Sequence, residues 1–150
     1  MTALLFDAAG RRYGLDVSQI IEVVPAVELR AIAGVPAYVA GVLRYRGALV
    51  PVIDVNRVLC GAPVRPRYST RLVLVRYTGL AGTEHALGLL VEGAARGVVE
   101  ELGHLTTSGV ATPDAPYLGQ ISTDRADPVQ LVRVEHLIPE ELRDRLFVEA

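Results

Sequence analysis

The feature that most constrains this chain is its punctuation: apolar runs of strand length recur from end to end, and Gly, Pro or polar clusters interrupt nearly every one. Runs this short cannot bury themselves as helices, but paired as strands they satisfy their backbone groups and cover apolar faces. Leu4-Leu5-Phe6-Asp7 and Tyr13-Gly14-Leu15-Asp16-Val17 flank Ala9-Gly10-Arg11-Arg12, which predicts a hairpin with Gly in its turn. Val50-Pro51-Val52-Ile53-Asp54-Val55 reads as a strand whose Pro51, lacking an N–H, belongs at an edge or a bulge. Arg71-Leu72-Val73-Leu74-Val75-Arg76-Tyr77 is almost continuously apolar, so both of its faces should be covered. Ala86–Glu92 follows the Gly-marked segment Thr78–Thr83 as a second hairpin, and Val98–Glu100 and Pro128–Val134 supply further strands. Helix is scarce. Pro36–Ala40 can make one turn, and a short helix is predicted from Glu140 to Phe147, with Pro139 before it and its acids in the first turn.

A weak internal repeat organises these strands. Gly14-Leu15-Asp16-Val17 and Val24 return about half the chain later as Gly88-Leu89-Leu90-Val91 and Val98, each copy following an apolar strand and a Gly-containing hairpin. Two small similar barrels would dispose of the strand edges and bury such a pattern. The halves should change over near 61–70, where Gly61–Ser69 is the best linker within a single domain spanning 1–150. Thr106–Pro116, rich in Thr, Gly, Ala and Pro, is the longest loop candidate.

Composition narrows the function classes. Hydrophobic residues make up 51% and charged ones 21%, which suits a packed domain and excludes a disordered one. A net charge of -2 argues against a chain that coats nucleic acid or anionic membrane. The single cysteine, Cys60, cannot form an internal disulfide and suits a reducing, cytoplasmic compartment. The opening residues lack the basic and apolar regions of a signal peptide. No apolar run reaches the roughly 18 residues of a membrane span, so no direct membrane insertion is expected.

The search for chemistry comes back nearly empty. Lys is absent, which excludes a P-loop, a Schiff base or a Lys general base. His85, His104 and His136 lie in separate segments with no ligand-like spacing, so no metal site is expected. Cys60 reads as a small apolar residue, and Glu100-Glu101 and Glu140-Glu141 as solvated neighbours, so no enzyme is expected. Six arginines gather between Arg44 and Arg71, yet a single-strand-binding barrel needs exposed aromatics to stack bases. Only Tyr45 and Tyr68 fall among them. A single-stranded nucleic-acid-binding barrel is therefore the alternative reading, and the expected partners include no nucleic acid.

What remains is a recognition module, and here an ordered set of segments is specific. Tyr13–Val17, Ile21-Glu22-Val23-Val24, Val35–Val42, Arg46-Gly47 and Val50–Val55 come in a fixed succession, continued by Arg71–Val75 and Gly88–Glu92. This succession resembles the CheW-like family, the coupling proteins of bacterial chemosensory arrays, over roughly residues 3 to 138. Ala37–Val42, Tyr45-Arg46-Gly47 and Ala115–Gly119 look most like the Wsp-type branch of surface-sensing systems. The resemblance implies a mostly β fold of two interlocked five-stranded barrels of the SH3/OB kind, here with a short C-terminal helix. It also implies a scaffold without catalysis or cofactor. Its partners would be the regulatory domain of a CheA-type histidine kinase and the cytoplasmic tip of a methyl-accepting chemoreceptor, within a receptor array.

Site residues follow by motif position. Arg46 would hold partner carboxylates or carbonyls in its planar fork; the alternative is an internal ion pair with Glu22 or Asp54. Gly47 and Gly41 would permit tight turns or close backbone approach. Ile20 and Glu22 match positions near the family's receptor groove, plain core being the alternative for Ile20. Many members carry Asn ahead of the Leu-Arg-Gly step, where this chain has Arg44-Tyr45-Arg46-Gly47. Arg44 and Tyr45 are thus further anchors for a partner, and partner specificity should differ. Asp16 and Asp54 are expected to shape strand ends.

Overall fold

The computed structural model of the chain describes residues 1–65, 70–78, 82–94, 99–107, 114–124 and 126–147. Parts of four expected features lie outside them: 66–69 of the linker, 79–81 of the second hairpin turn, Val98 of the repeat, and 108–113 of the long loop.

The first predicted hairpin forms from β1 (Thr2–Ala8) and β2 (Arg11–Asp16), with Ala8 opposite Arg11 across the two-residue turn Ala9-Gly10. After a 3-10 turn at Val17–Gln19, capped by Asp16, the chain runs through β3 (Ile20–Pro25), β4 (Val39–Tyr45) and β5 (Ala48–Asp54). Helix α1 (Val55–Cys60) comes next. The second set opens with β6 (Arg71–Thr78) and β7 (Glu84–Val91), then β8 (Val99–Glu101), β9 (Leu105–Thr106), β10 (Leu118–Ser122) and β11 (Val129–Val132). A 3-10 turn at Val134–His136 and α2 (Glu140–Leu146) complete the described chain.

These strands form one sheet ordered β3-β6-β7-β5-β4 and another ordered β8-β1-β2-β11-β10-β9. Set side by side, the two orders have the same plan. Each contains an antiparallel hairpin, an edge strand beside its first member, a parallel strand beside its second, and an antiparallel strand beyond. The hairpins are exchanged: β1–β2 joins strands from late in the chain, and β6–β7 joins β3, β4 and β5. This is the physical content of the interlocking. The stretch near 61–70 separates the two sets of strands along the chain, while each sheet draws on both sets.

The repeat glycines sit where the parallel strand crosses. Gly14 is paired with Leu131 of β11, and Gly88 with Val52 of β5. A Cβ on Gly14 would meet Val129 Cγ1 at 3.2 Å; one on Gly88 would meet Val52 Cγ2 at 2.9 Å. Small residues are needed there because branched neighbours fill the space.

The expected barrels are not closed by backbone pairing. Each sheet instead folds over its own apolar cluster, Val50, Val52, Leu72 and Leu74 in one and Ala3, Leu5, Val129 and Leu131 in the other. A larger third cluster lies between the sheets, where Leu4, Phe6, Leu15, Val73, Val75 and Tyr77 meet. Strand β6 thus buries Leu72 and Leu74 on one face and Val73 and Val75 on the other, as its continuous apolarity predicts. Phe6 and Tyr13 pair across the first hairpin and stack at 5.7 Å.

Two local readings, those of Pro51 and Val55, are corrected, and the single turn expected at Pro36 forms. Pro51 lies in an interior strand, not at an edge, but one residue ahead of the first β5–β7 pair, so no ladder bond to β7 is lost. Pro36 starts a single turn, closed by the Val39 N–H on the Pro36 carbonyl at 3.0 Å, that leads directly into β4. Val55, read as the end of a strand, begins α1: the Asp54 carboxylate accepts from the Arg57 N–H at 3.1 Å, and Gly61 ends the helix at φ 79. Helix α2 forms as predicted, with Leu142 buried on the core and Phe147 stacked on Tyr77.

Candidate functional site

The site is built on the turn between β4 and β5. Tyr45 faces Ala48 across Arg46-Gly47, and both turn residues have positive φ, 49° at Arg46 and 81° at Gly47. That is the two-residue hairpin geometry whose twist matches the strands, and its second position suits Gly. The turn throws the Arg46 side chain outward, where it is 74% exposed. Its guanidinium lies 5.1 Å from the centre of the Tyr45 ring and its Nη2 is 3.8 Å from Glu22 Oε2. The Tyr45 hydroxyl donates to the same Glu22 oxygen, and this bond, more than the partial burial, raises the phenol above its ordinary range.

Glu22 lies on β3 and Tyr45 on β4, the two edges of the five-stranded sheet. The sheet therefore curls until its free edges meet through side chains, with Glu22, Tyr45 and Arg46 as the latch. The sequence brings these three together, along with Gly47. Of the two internal partners open to Arg46, Glu22 is engaged. Asp54 is not, because it is buried, caps α1 and accepts the Val64 N–H at 3.0 Å.

The other expected residues sit apart from the latch. Arg44 is exposed, paired across the hairpin with Leu49, itself 68% exposed. Ile20 is half-buried against the cluster between the sheets, beside a bulge that separates it in register from Glu22. Gly41 occupies another bulge, at φ 149, and a Cβ there would lie 2.5 Å from the Arg30 carbonyl oxygen. Arg30 and Val42 exchange both backbone bonds at that point, 3.0 and 2.8 Å, so Gly41 serves close backbone approach. The sequence reading passed over the exposed apolar residues Val23 and Leu49. Val23 follows Glu22, and the signal was present in the strand alternation, but reading it needs the register.

Among the described residues no group of three His, Cys, Asp or Glu side chains could hold a metal, and no helix is long and apolar enough to cross a membrane. The three histidines are far apart in role: His85 stacks on Phe147, His136 contacts Arg133 Nη2 at 2.8 Å, and His104 holds a positive φ.

Comparison with known proteins places this architecture. The CheW-like domain family matches residues 2–142. The chain belongs to the CheW-like domain family. The chemotaxis protein CheW of Bacillus subtilis (strain 168) is 27% identical over 74 residues, covering 49% of this chain and 47% of that one. The chemotaxis protein CheW of Klebsiella aerogenes is 24% identical over 90 residues, covering 60% and 51%. The chain thus spans about half the length of the curated relatives it matches. The crystal structure of the scaffolding protein TtCheW from Thermoanaerobacter tengcongensis superposes with a TM-score of 0.78 at 22% identity, over 92% of this chain and 87% of that one. At that identity the likeness is one of fold, and it covers both sheets of this CheW-like domain.

Proposed function

We propose that this CheW-like protein is a non-catalytic scaffold that couples the signalling tips of methyl-accepting chemoreceptors to a CheA-type histidine kinase in a bacterial chemosensory array, working in the cytoplasm. The observation that carries the reading is the family match over 2–142. The site's composition agrees with it. An exposed guanidinium on a two-residue turn is set for carboxylates or carbonyls, and the same sheet also carries Val23 and Leu49 as exposed apolar residues. Arg46 is the main anchor, Arg44 a second, and Glu22 and Tyr45 hold Arg46 in place. Gly41, Gly47 and Ile20 shape the strands that carry them. Several moderate contacts of this kind, linked in one array, give a stable assembly through effective concentration.

The nucleic-acid reading has no such support. Tyr45 is engaged by Glu22 and covered by Arg46, and Tyr68 lies outside the described residues.

The test is capture of the purified kinase regulatory domain and receptor tip by wild type and by Arg46→Asp. Capture by wild type, lost in a variant that keeps its thermal transition, supports the adaptor and the role of Arg46. Equal capture by both proteins removes Arg46 from the contact, and no capture by either overturns the adaptor reading.

A further inference from the structure

A separate cleft shares no residue with the Arg46 site. It lies where the turn before β4, α1, the segment leading into β10 and α2 converge, and it encloses about 680 Å³. Small-molecule sites typically enclose about 300–1,000 Å³. Val58, Pro116, Leu137 and Ile138 line it with apolar surface, and Tyr38 and Tyr117 add two phenol rings.

Its charged residues differ in exposure. The carboxylates belong to exposed residues, Asp114, Glu135 and Glu140, and Glu135 is in addition 3.6 Å from Arg133 Nε. The guanidiniums belong to Arg57 and Arg143, both half-buried. Arg143 donates from Nε to the Tyr77 hydroxyl and from Nη2 to the Glu135 carbonyl at 3.4 Å. Its Nη1, fully buried, has no acceptor among the described residues. Closed to solvent, Nη1 cannot be reached from the cleft, so Arg143 meets a ligand through its charge and its Nη2 side. The Arg57 side chain makes no hydrogen bond or ion pair among the described residues. Burial keeps the Tyr38 and Tyr117 phenols above the ordinary tyrosine range, hence protonated. Tyr117 donates its proton to the Val58 carbonyl at 3.3 Å, while the Tyr38 hydroxyl is uncommitted among the described residues. The less exposed polar groups are therefore donors and cations beside apolar walls.

We propose that this cleft binds a small carboxylic acid with an apolar or aromatic body. Arg57 and Arg143 take the carboxylate, with Tyr38 as a further donor, and the body lies against Tyr117, Val58 and Leu137. An Arg fork matches a carboxylate in both geometry and charge, and the walls reward the body. Neither part alone suffices.

The experiment is a titration of the full chain, followed by amide chemical shifts, with phenylacetate, its neutral amide phenylacetamide, and acetate. Phenylacetate should give saturable shifts centred on Tyr38, Val58, Tyr117 and Leu137. The amide and acetate should each bind at least about tenfold more weakly, the size expected for losing a charged hydrogen bond or the apolar contact. Arg57→Gln, which breaks no hydrogen bond or ion pair among the described residues, should weaken phenylacetate similarly without moving the thermal transition; Tyr38→Phe should weaken it less. Shifts that do not saturate, equal binding of acid and amide, or full affinity in Arg57→Gln would each overturn the proposal.

Discussion

Arg46 holds a conformation its residue type disfavours. A side chain with a Cβ at φ 49, the first central position of a tight hairpin turn, stands where Asn or Gly is preferred. Arg46→Asn should therefore raise stability by about 0.5–1 kcal/mol, read from the urea midpoint, if the turn alone decides. Against that stand the exposed contacts with Tyr45 and Glu22, worth only a few tenths of a kcal/mol at this exposure. The turn should win. The variant would fold at least as well as wild type and still fail to capture the receptor tip, showing that the charge is retained for binding. A variant less stable than wild type would instead make the latch the reason for Arg46. That latch was half legible: the pairing of Arg46 with Glu22 could be foreseen from their charges, but the choice between Glu22 and Asp54 could not. The choice depends on the curl of the sheet and on the backbone N–H groups that already occupy Asp54.

At the scale of elements, the β1–β2 and β6–β7 hairpins were legible, while the β4–β5 hairpin and the neighbours of all three were not. Those two hairpins are local, carried by apolar runs on either side of a Gly-marked segment, so short-range chemistry decides them. Strand β4 escaped notice because the bulge at Gly41 breaks its alternation and Pro36 suggests a helical start. Helix α1 escaped because Val55 and Val58 are β-branched and favour a strand reading. The informative residues were its ends, Asp54 as cap and Gly61 beyond the last turn. Asp54 carries two jobs there, capping α1 through Arg57 and tying down the Val64 N–H at 3.0 Å. Asp54→Ala should then cost about 2–3 kcal/mol, a lost cap together with a stranded partner. Asp54→Asn, which keeps one acceptor, should recover about half. Chemical denaturation of the two variants checks this, and a cost under about 0.5 kcal/mol for Asp54→Ala would show that α1 is held by packing alone.

For the whole molecule, the half-length repeat was legible but its consequence was not, since strand exchange is a long-range pairing that no local pattern encodes. The hairpin Thr2–Asp16 completes a sheet whose other strands begin at Val99, and Arg71–Val91 completes a sheet whose other strands end at Asp54. Neither half can bury its apolar faces alone. The first half lacks cover for Leu5 and Phe6 from Val129 and Val132, and the second lacks Val50 and Val52 over Leu72 and Leu74. The largest cluster takes side chains from both sheets, so loss of either sheet exposes it. The chain should therefore unfold in one cooperative step by every probe, despite having two sheets and three apolar clusters. The sharper consequence concerns fragments. Cut between 65 and 66, fragments 1–65 and 66–150 should each lack a thermal transition, and on mixing they should reassemble one to one into a complex with the far-ultraviolet spectrum of the intact chain. Independent folding of either fragment would mean that its set of strands can pair among themselves, and the exchange would then be incidental to stability. Reassembly without independent folding would place the stability of this CheW-like domain in the interlocking itself.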